Sequence, residues 1–166
     1  MKLFGLVFIS LVPALMGFWK GENIKQKRNQ ALAFLLFLKE VDFQIRHFNR
    51  EQKEIYASFQ NPALTKSGFL PQLLEETNEN PVGALDRTVR SHLPDFLLSQ
   101  KMEDAILLFS RNFGTQSKER QLMETQNTIE ILQKELQGEE KKVKDKIKMM
   151  RVTGICAGLW ILILLL

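Results

Sequence analysis

The chain has 166 residues, a net charge of +4, and 26 leucines against seven valines, which fits one domain and favours helix over sheet. One cysteine excludes an intrachain disulfide and a cysteine zinc site, and His47 and His92 lie too far apart in sequence for a local metal cluster. Nine glycines form neither a GxG turn nor a phosphate-binding loop, and neither histidine has a catalytic partner at motif spacing, so no catalytic residue, metal or cofactor is expected.

The positive charge sits in two blocks. Lys20, Lys25, Lys27 and Arg28 face only Glu22 in the first, and Lys141, Lys142, Lys144, Lys146, Lys148 and Arg151 face only Asp145 in the second. Residues 29–140 between them carry 12 basic and 17 acidic side chains. Each block abuts a strongly apolar stretch, which points to a lipid membrane and to flanking charges that fix topology. A single-strand nucleic-acid surface would interleave aromatic residues with the cations, and the second block has none, so no nucleic acid is expected.

The first apolar stretch, Leu3 to Trp19, is free of charge and as a helix would reach about 25 Å. That is slightly short of a ~30 Å hydrocarbon core, with Trp19 at the interface and Lys20 snorkelling beyond it. A cleavable signal peptide is the competing reading. Ala14-Leu15-Met16 is a poor cleavage site and basic residues follow it, so an uncleaved anchor over residues 1–20 is expected.

From Ile24 to Phe48 the residues Phe34, Leu38, Val41, Ile45 and Phe48 recur at helical spacing. Leu32, Leu36, Phe37 and Phe43 widen the stripe, so this helix is expected to pack on more than one neighbour. Asn49 and Gln52 loosely form a capping box for a second helix to about Phe59, which Asn61-Pro62 stops. A third helix carries Leu70, Leu73 and Leu74 with Pro71 in its first turn, and Pro81 opens a fourth with Leu85 and Val89 inward. Pro94 begins a brief turn that buries Phe96 and Leu97. Ser99 caps a helix with Met102, Ile106, Phe109 and Phe113 inside, and Gly114 closes it.

Thr115 or Ser117 caps the last helix, whose one weak point is Gly138. Leu122, Ile129, Leu136, Val143 and Met150 recur every seven residues, with Leu132 and Ile147 beside them. This stripe packs either on the first long helix or on a second copy, and the intramolecular packing is the simpler expectation. The chain closes with Val152 to Leu166, apolar on every face from Trp160 onward. A buried core helix is the alternative, but a polar side is usual in small soluble domains, so a transmembrane helix over residues 149–166 is expected. Gly154 and Gly158 have the spacing of a close membrane-helix contact, and Gly17 and Gly21 share it, although Gly21 falls beyond the first span. The fold class is therefore all-α: a small antiparallel helical domain over 21–148, placed in the cytoplasm by the positive-inside rule, between two membrane helices.

The same residues resemble the stage III sporulation protein AB family of endospore-forming bacteria. The resemblance runs through Gly5 to Gly17-Phe18, the leucine-rich helix from Arg28 to Phe48, and a pattern close to LGxxLGxxDxxxQ. Phe113-Gly114 stands for the second pair of that pattern and Gln121 for its glutamine, while Ser110 and Ser117 replace the first glycine and the aspartate. Arg151, Gly154, Gly158 and the tail Trp160 to Leu166 complete it. The resemblance implies a non-enzymatic component of the sporulation apparatus, in the mother-cell membrane facing the forespore. It also implies a domain similar to type II secretion platform proteins. The implied partners are a secretion-type ATPase similar to stage III sporulation protein AA and other membrane components of the apparatus. The alternative from another class is a membrane-anchored adaptor or sensor that binds one signalling protein.

Overall fold

The computed structural model describes residues 2–48 and 50–165, the side chains of 2–14, 139, 158, 161, 162, 164 and 165 excepted. It is all-helical over those residues: α1 (Lys2–Phe48), α2 (Gln52–Ser58), α3 (Pro62–Lys66), α4 (Phe69–Glu79), α5 (Ala84–His92), a 3-10 turn (Leu93–Asp95), α6 (Gln100–Asn112) and α7 (Lys118–Leu165). The chain divides into two compact units, one of Met1–Gln26 with Glu139–Leu166, the other of Lys27–Gly138.

The Lys27–Gly138 unit is a helical domain around an aromatic centre. Most of the stripe read from the sequence of α1 is buried, with Phe34, Leu38 and Val41 fully enclosed and Ile45 nearly so, but Phe48, expected as its last member, is 57% exposed at the end of the helix, beyond the core. Phe34 meets Phe69 edge-on at 5.6 Å and Phe96 at 5.5 Å. Phe37 meets Tyr56, Phe59 and Phe69. Aromatic pairs in these tilted and edge-on arrangements add to the area they bury. Met102, Ile106 and Phe109 of α6 close one side of the core. Leu132 and Leu136 of α7 lie in that core, with Leu122 and Ile129 packed against it. The α7 stripe therefore packs within the chain.

The connections hold because their residues suit them. Asn61 does not merely stop α2. Its side-chain oxygen accepts from the amides of Ala63 and Leu64, and Pro62 supplies the first turn of α3, a helix absent from the sequence reading. Asn49, expected as a cap, lies outside the described residues, and α2 begins after Glu51 without a side-chain cap. Pro81 lies before α5, which starts after Gly83 at φ 73°. Ser99 caps α6 through the Met102 amide, and Gly114 follows that helix at φ 84°, where a side chain would be strained. Gly138 does not interrupt α7.

Two expectations need correction. Leu36 and Phe43 do not pack on a second neighbour: they are 53% and 47% exposed, on the outer side of α1. Among the described residues no helix is long and apolar enough to cross a membrane, so the spans expected over 1–20 and 149–166 are not found in that form. For the second run the physical reason is length. The second apolar run is short, and taking it back to Met149 brings in Arg151. Most of the first run lies in side chains outside the described ones.

Candidate functional site

The unit of Met1–Gln26 with Glu139–Leu166 is a pair of antiparallel helical segments, and glycine sets their approach. A Cβ added to Gly17 would lie 2.7 Å from the Met150 carbonyl oxygen and 3.0 Å from Gly154 Cα. Both neighbours are backbone, so no rotamer change relieves the clash. One turn along α1, a Cβ on Gly21 would lie 3.5 Å from both Ile147 Cγ2 and Arg151 Nε. As α1 advances from 17 to 21, its neighbours on α7 step back from 154 and 150 to 151 and 147. Gly17, Gly21 and Gly154 are all buried, and Val143 extends the inner face of α7.

Gly154 thus meets Gly17 of its own chain. Gly158 lies outside the residues whose surroundings are described. The glycine pair Gly17 and Gly21, which the sequence reading set aside, forms the α1 face of this crossing. The signal was present in their spacing of four; hydropathy drew attention away from Gly21, whose neighbours are charged.

Arg151 closes the basic end of the crossing. Its guanidinium lies 3.7 Å from a Glu22 carboxylate oxygen and 5.5 Å from the centroid of the Phe18 ring. Glu22 also pairs with Lys25 at 3.3 Å. These groups are substantially exposed, so the pairs orient the side chains more than they stabilise them. Gly21 leaves the room in which the Arg151 side chain lies across α1.

The remaining basic residues separate by role. Lys20, Lys141, Lys142, Lys144, Lys146 and Lys148 are exposed, and Lys144 pairs with Glu140 at 2.8 Å. Lys27 is half-buried in the other unit, where its amine donates to the Pro94 carbonyl and its own carbonyl accepts from Leu97 N at 3.2 Å. Its visible task is to fasten the 3-10 turn onto α1. Arg28 is half-buried as well.

On the outward side of the pair, large apolar residues are exposed. Leu15, Met16, Phe18 and Trp19 occupy α1, and Met149, Val152, Ile155, Leu159, Trp160 and Ile163 occupy α7, with Trp19 72% and Trp160 67% exposed. A surface of this kind on a water-soluble protein marks an interaction site or a lipid contact.

In the Lys27–Gly138 unit, one of the two positions that depart from the family pattern, Ser110, joins two helices, while the exposed Ser117 offers its backbone carbonyl to Gln121 N at 2.9 Å. Ser110 is buried and its hydroxyl lies 3.2 Å from Asp86 Oδ1, joining α6 to α5. The Arg90 hydrogen bond to Asp86, at 2.8 Å, holds that carboxyl below the usual carboxylate range, and Ser110 adds to the shift. Among the described residues no group of three or more His, Cys, Asp or Glu could hold a metal.

Compared with known families, the chain matches stage III sporulation protein AB (spore_III_AB) over residues 2–166, and it belongs to that family. No curated protein and no solved structure matches it.

Proposed function

We propose that this member of the stage III sporulation protein AB family, a sporulation component, is a non-enzymatic membrane platform. The paired segments at 1–26 and 139–166 sit in lipid, and the Lys27–Gly138 unit stands in the cytoplasm, tethered to one membrane face through both of its ends. There it docks a cytoplasmic secretion-type ATPase similar to stage III sporulation protein AA, alongside other membrane components of the apparatus.

The observation that supports this most is the outward apolar surface of the glycine-packed pair. Each side chain left in water forgoes ~25 cal/mol per Å² of apolar area, and hydrocarbon would recover it on all sides at once. The exposed lysines of both basic blocks then lie where anionic headgroups and the positive-inside rule favour them. Apolar runs of ~22–25 Å are short for a ~30 Å core, and local thinning together with snorkelling of Arg151 and Lys20 accommodates such a mismatch at modest cost.

Two measurements test the reading. A reporter active only outside the cytoplasm, fused after Leu166, is expected to work, and one inserted after Lys66 is expected to fail. Membranes from sporulating cells should yield the ATPase with the tagged protein. A protein that washes off membranes at alkaline pH, or a membrane-bound protein recovered without any ATPase, contradicts it.

A further inference from the structure

We infer, resting on the platform reading above, that the Lys27–Gly138 unit receives its cytoplasmic partner on one surface, where the end of α1, the start of α2 and the connection between α4 and α5 come together. The partner segment this surface fits is an acidic stretch of protein with an apolar tip.

The surface joins features that are otherwise unexplained by the fold. Phe43 and Phe48 are 47% and 57% exposed, and their rings meet at 5.7 Å on the outside of α1. Neither contributes to the core. The Arg50 guanidinium lies over the Phe48 ring, 5.6 Å from its centroid. Arg50 and Lys53 then line a cleft of about 730 Å³, and Val82 stands in the same lining at 72% exposure. Gly83 and Gly114, both at positive φ, stand in its wall, with the Gln52 side chain seated over Gly114.

The charge of the cleft decides the occupant. Neither Arg50 nor Lys53 forms an ion pair among the described residues, while Arg46, Arg87 and Arg90 each have a carboxylate partner. Glu51 is the one acidic residue in the lining, so the cleft carries net positive charge. This stands out in a stretch, residues 29–140, where 17 acidic residues outnumber 12 basic ones. Exposed aromatics with an arginine are the residue types that dominate binding at protein interfaces, and unpaired cations select an acidic partner and steer its approach. Two free cations are few for tracking a nucleic-acid backbone, and the exposed apolar Val82 has no use there.

The test uses the full chain in detergent or nanodiscs and the ATPase of the platform reading, with binding measured by titration. Arg50→Glu combined with Lys53→Glu is expected to weaken ATPase binding at least tenfold, and Val82→Asp to weaken it severalfold. Lys66→Glu combined with Arg111→Glu, the same charge change elsewhere on the unit, should leave it unchanged. The altered side chains are exposed, and thermal melting verifies that folding persists. Wild-type protein that binds no ATPase removes the platform reading and this inference together. Wild-type binding that both cleft variants retain, or that the control pair loses equally, overturns the inference alone. So does a wild-type complex with single-stranded oligonucleotide, or self-association of the chain, that the cleft variant abolishes while ATPase binding persists.

Discussion

The two units solve opposite packing problems with the same two long helices. In the Lys27–Gly138 unit, bulk fills the centre: Phe34, Phe37, Phe69 and Phe109 lie inside. In the unit formed by 1–26 and 139–166, the described crossing is set by glycines, with Val143 and Ile147 beside them, and the bulkiest described side chains lie outside. Gly17 and Gly154 meet through bare backbone, while Trp19 and Trp160 point outward. The first arrangement draws its stability from water, which expels apolar side chains into the core. The second draws less on it, because ten of its large apolar residues, Trp19 and Trp160 among them, remain on the surface. Close backbone packing with apolar residues turned outward is the solution suited to lipid, where no hydrophobic force drives helices together. The comparison teaches that burial alone does not identify a working interface; which residue sizes face inward is what separates the two units.

The largest effect should come from charging the core. Leu132 is fully enclosed, so Leu132→Asp leaves a buried unpaired charge and should cost about 4 kcal/mol or more, enough to abolish a cooperative melt. Ile129, one turn away, is only half-buried, and Ile129→Asp should cost about 1–2 kcal/mol. Equal losses would mean that α7 sits in a different rotation. Overpacking at the crossing comes next. A disulfide between Gly21→Cys and Ile147→Cys, in a Cys156→Ser background, should form readily, and adding Gly17→Ile should suppress it while the melting of the Lys27–Gly138 unit stays unchanged. Unchanged disulfide yield would show that Gly17 does not set the approach. Gly154→Ile should act in the same way, within one chain before it affects any assembly with partners.

A smaller effect is expected at the turn after α6. Gly114→Ala forces a side chain into positive φ and should cost about 1–2 kcal/mol in thermal melting. The smallest concerns pH. Asp86 has its carboxyl held below its unfolded value by the Arg90 hydrogen bond, then by Ser110. Its contribution is therefore present above the unfolded carboxylate pKa and lost as pH falls through the lowered folded value. Asp86→Asn should destabilise modestly at neutral pH, with the difference from wild type vanishing in strong acid. A difference that persists there would assign the loss to packing.

Much of the helical domain was legible because its periodicity is local. Phe34, Leu38, Val41 and Ile45 declare a buried face within four turns, and Ser99 and Gly114 declare the ends of α6 by their chemistry. Asn61-Pro62 misled because the same dipeptide that halts one helix can start another; only the geometry of Asn61 Oδ1 decides. Lys27 shows a different limit. Its charge and its neighbours group it with the membrane-flanking block, yet its amine reaches the Pro94 carbonyl, a contact spanning 67 residues that no local pattern carries. The glycine crossing was half legible. Spacing marked Gly17, Gly21 and Gly154, but the register that brings Gly17 onto Gly154 depends on how two helices far apart in sequence align.

The chain contains two tryptophans, Trp19 and Trp160, and both belong to the unit proposed to lie in lipid, so tryptophan emission, excited at the red edge where Tyr56 does not absorb, reports on that unit alone. The full chain reconstituted into vesicles containing brominated phospholipid should show blue-shifted emission, strong quenching by the bromine atoms and little quenching by aqueous acrylamide. Single replacements, Trp19→Phe and Trp160→Phe, should each leave a tryptophan that the lipid quenches. Emission that stays red, is quenched by acrylamide and is indifferent to brominated lipid would place both residues in water and contradict the division of the molecule between two solvents.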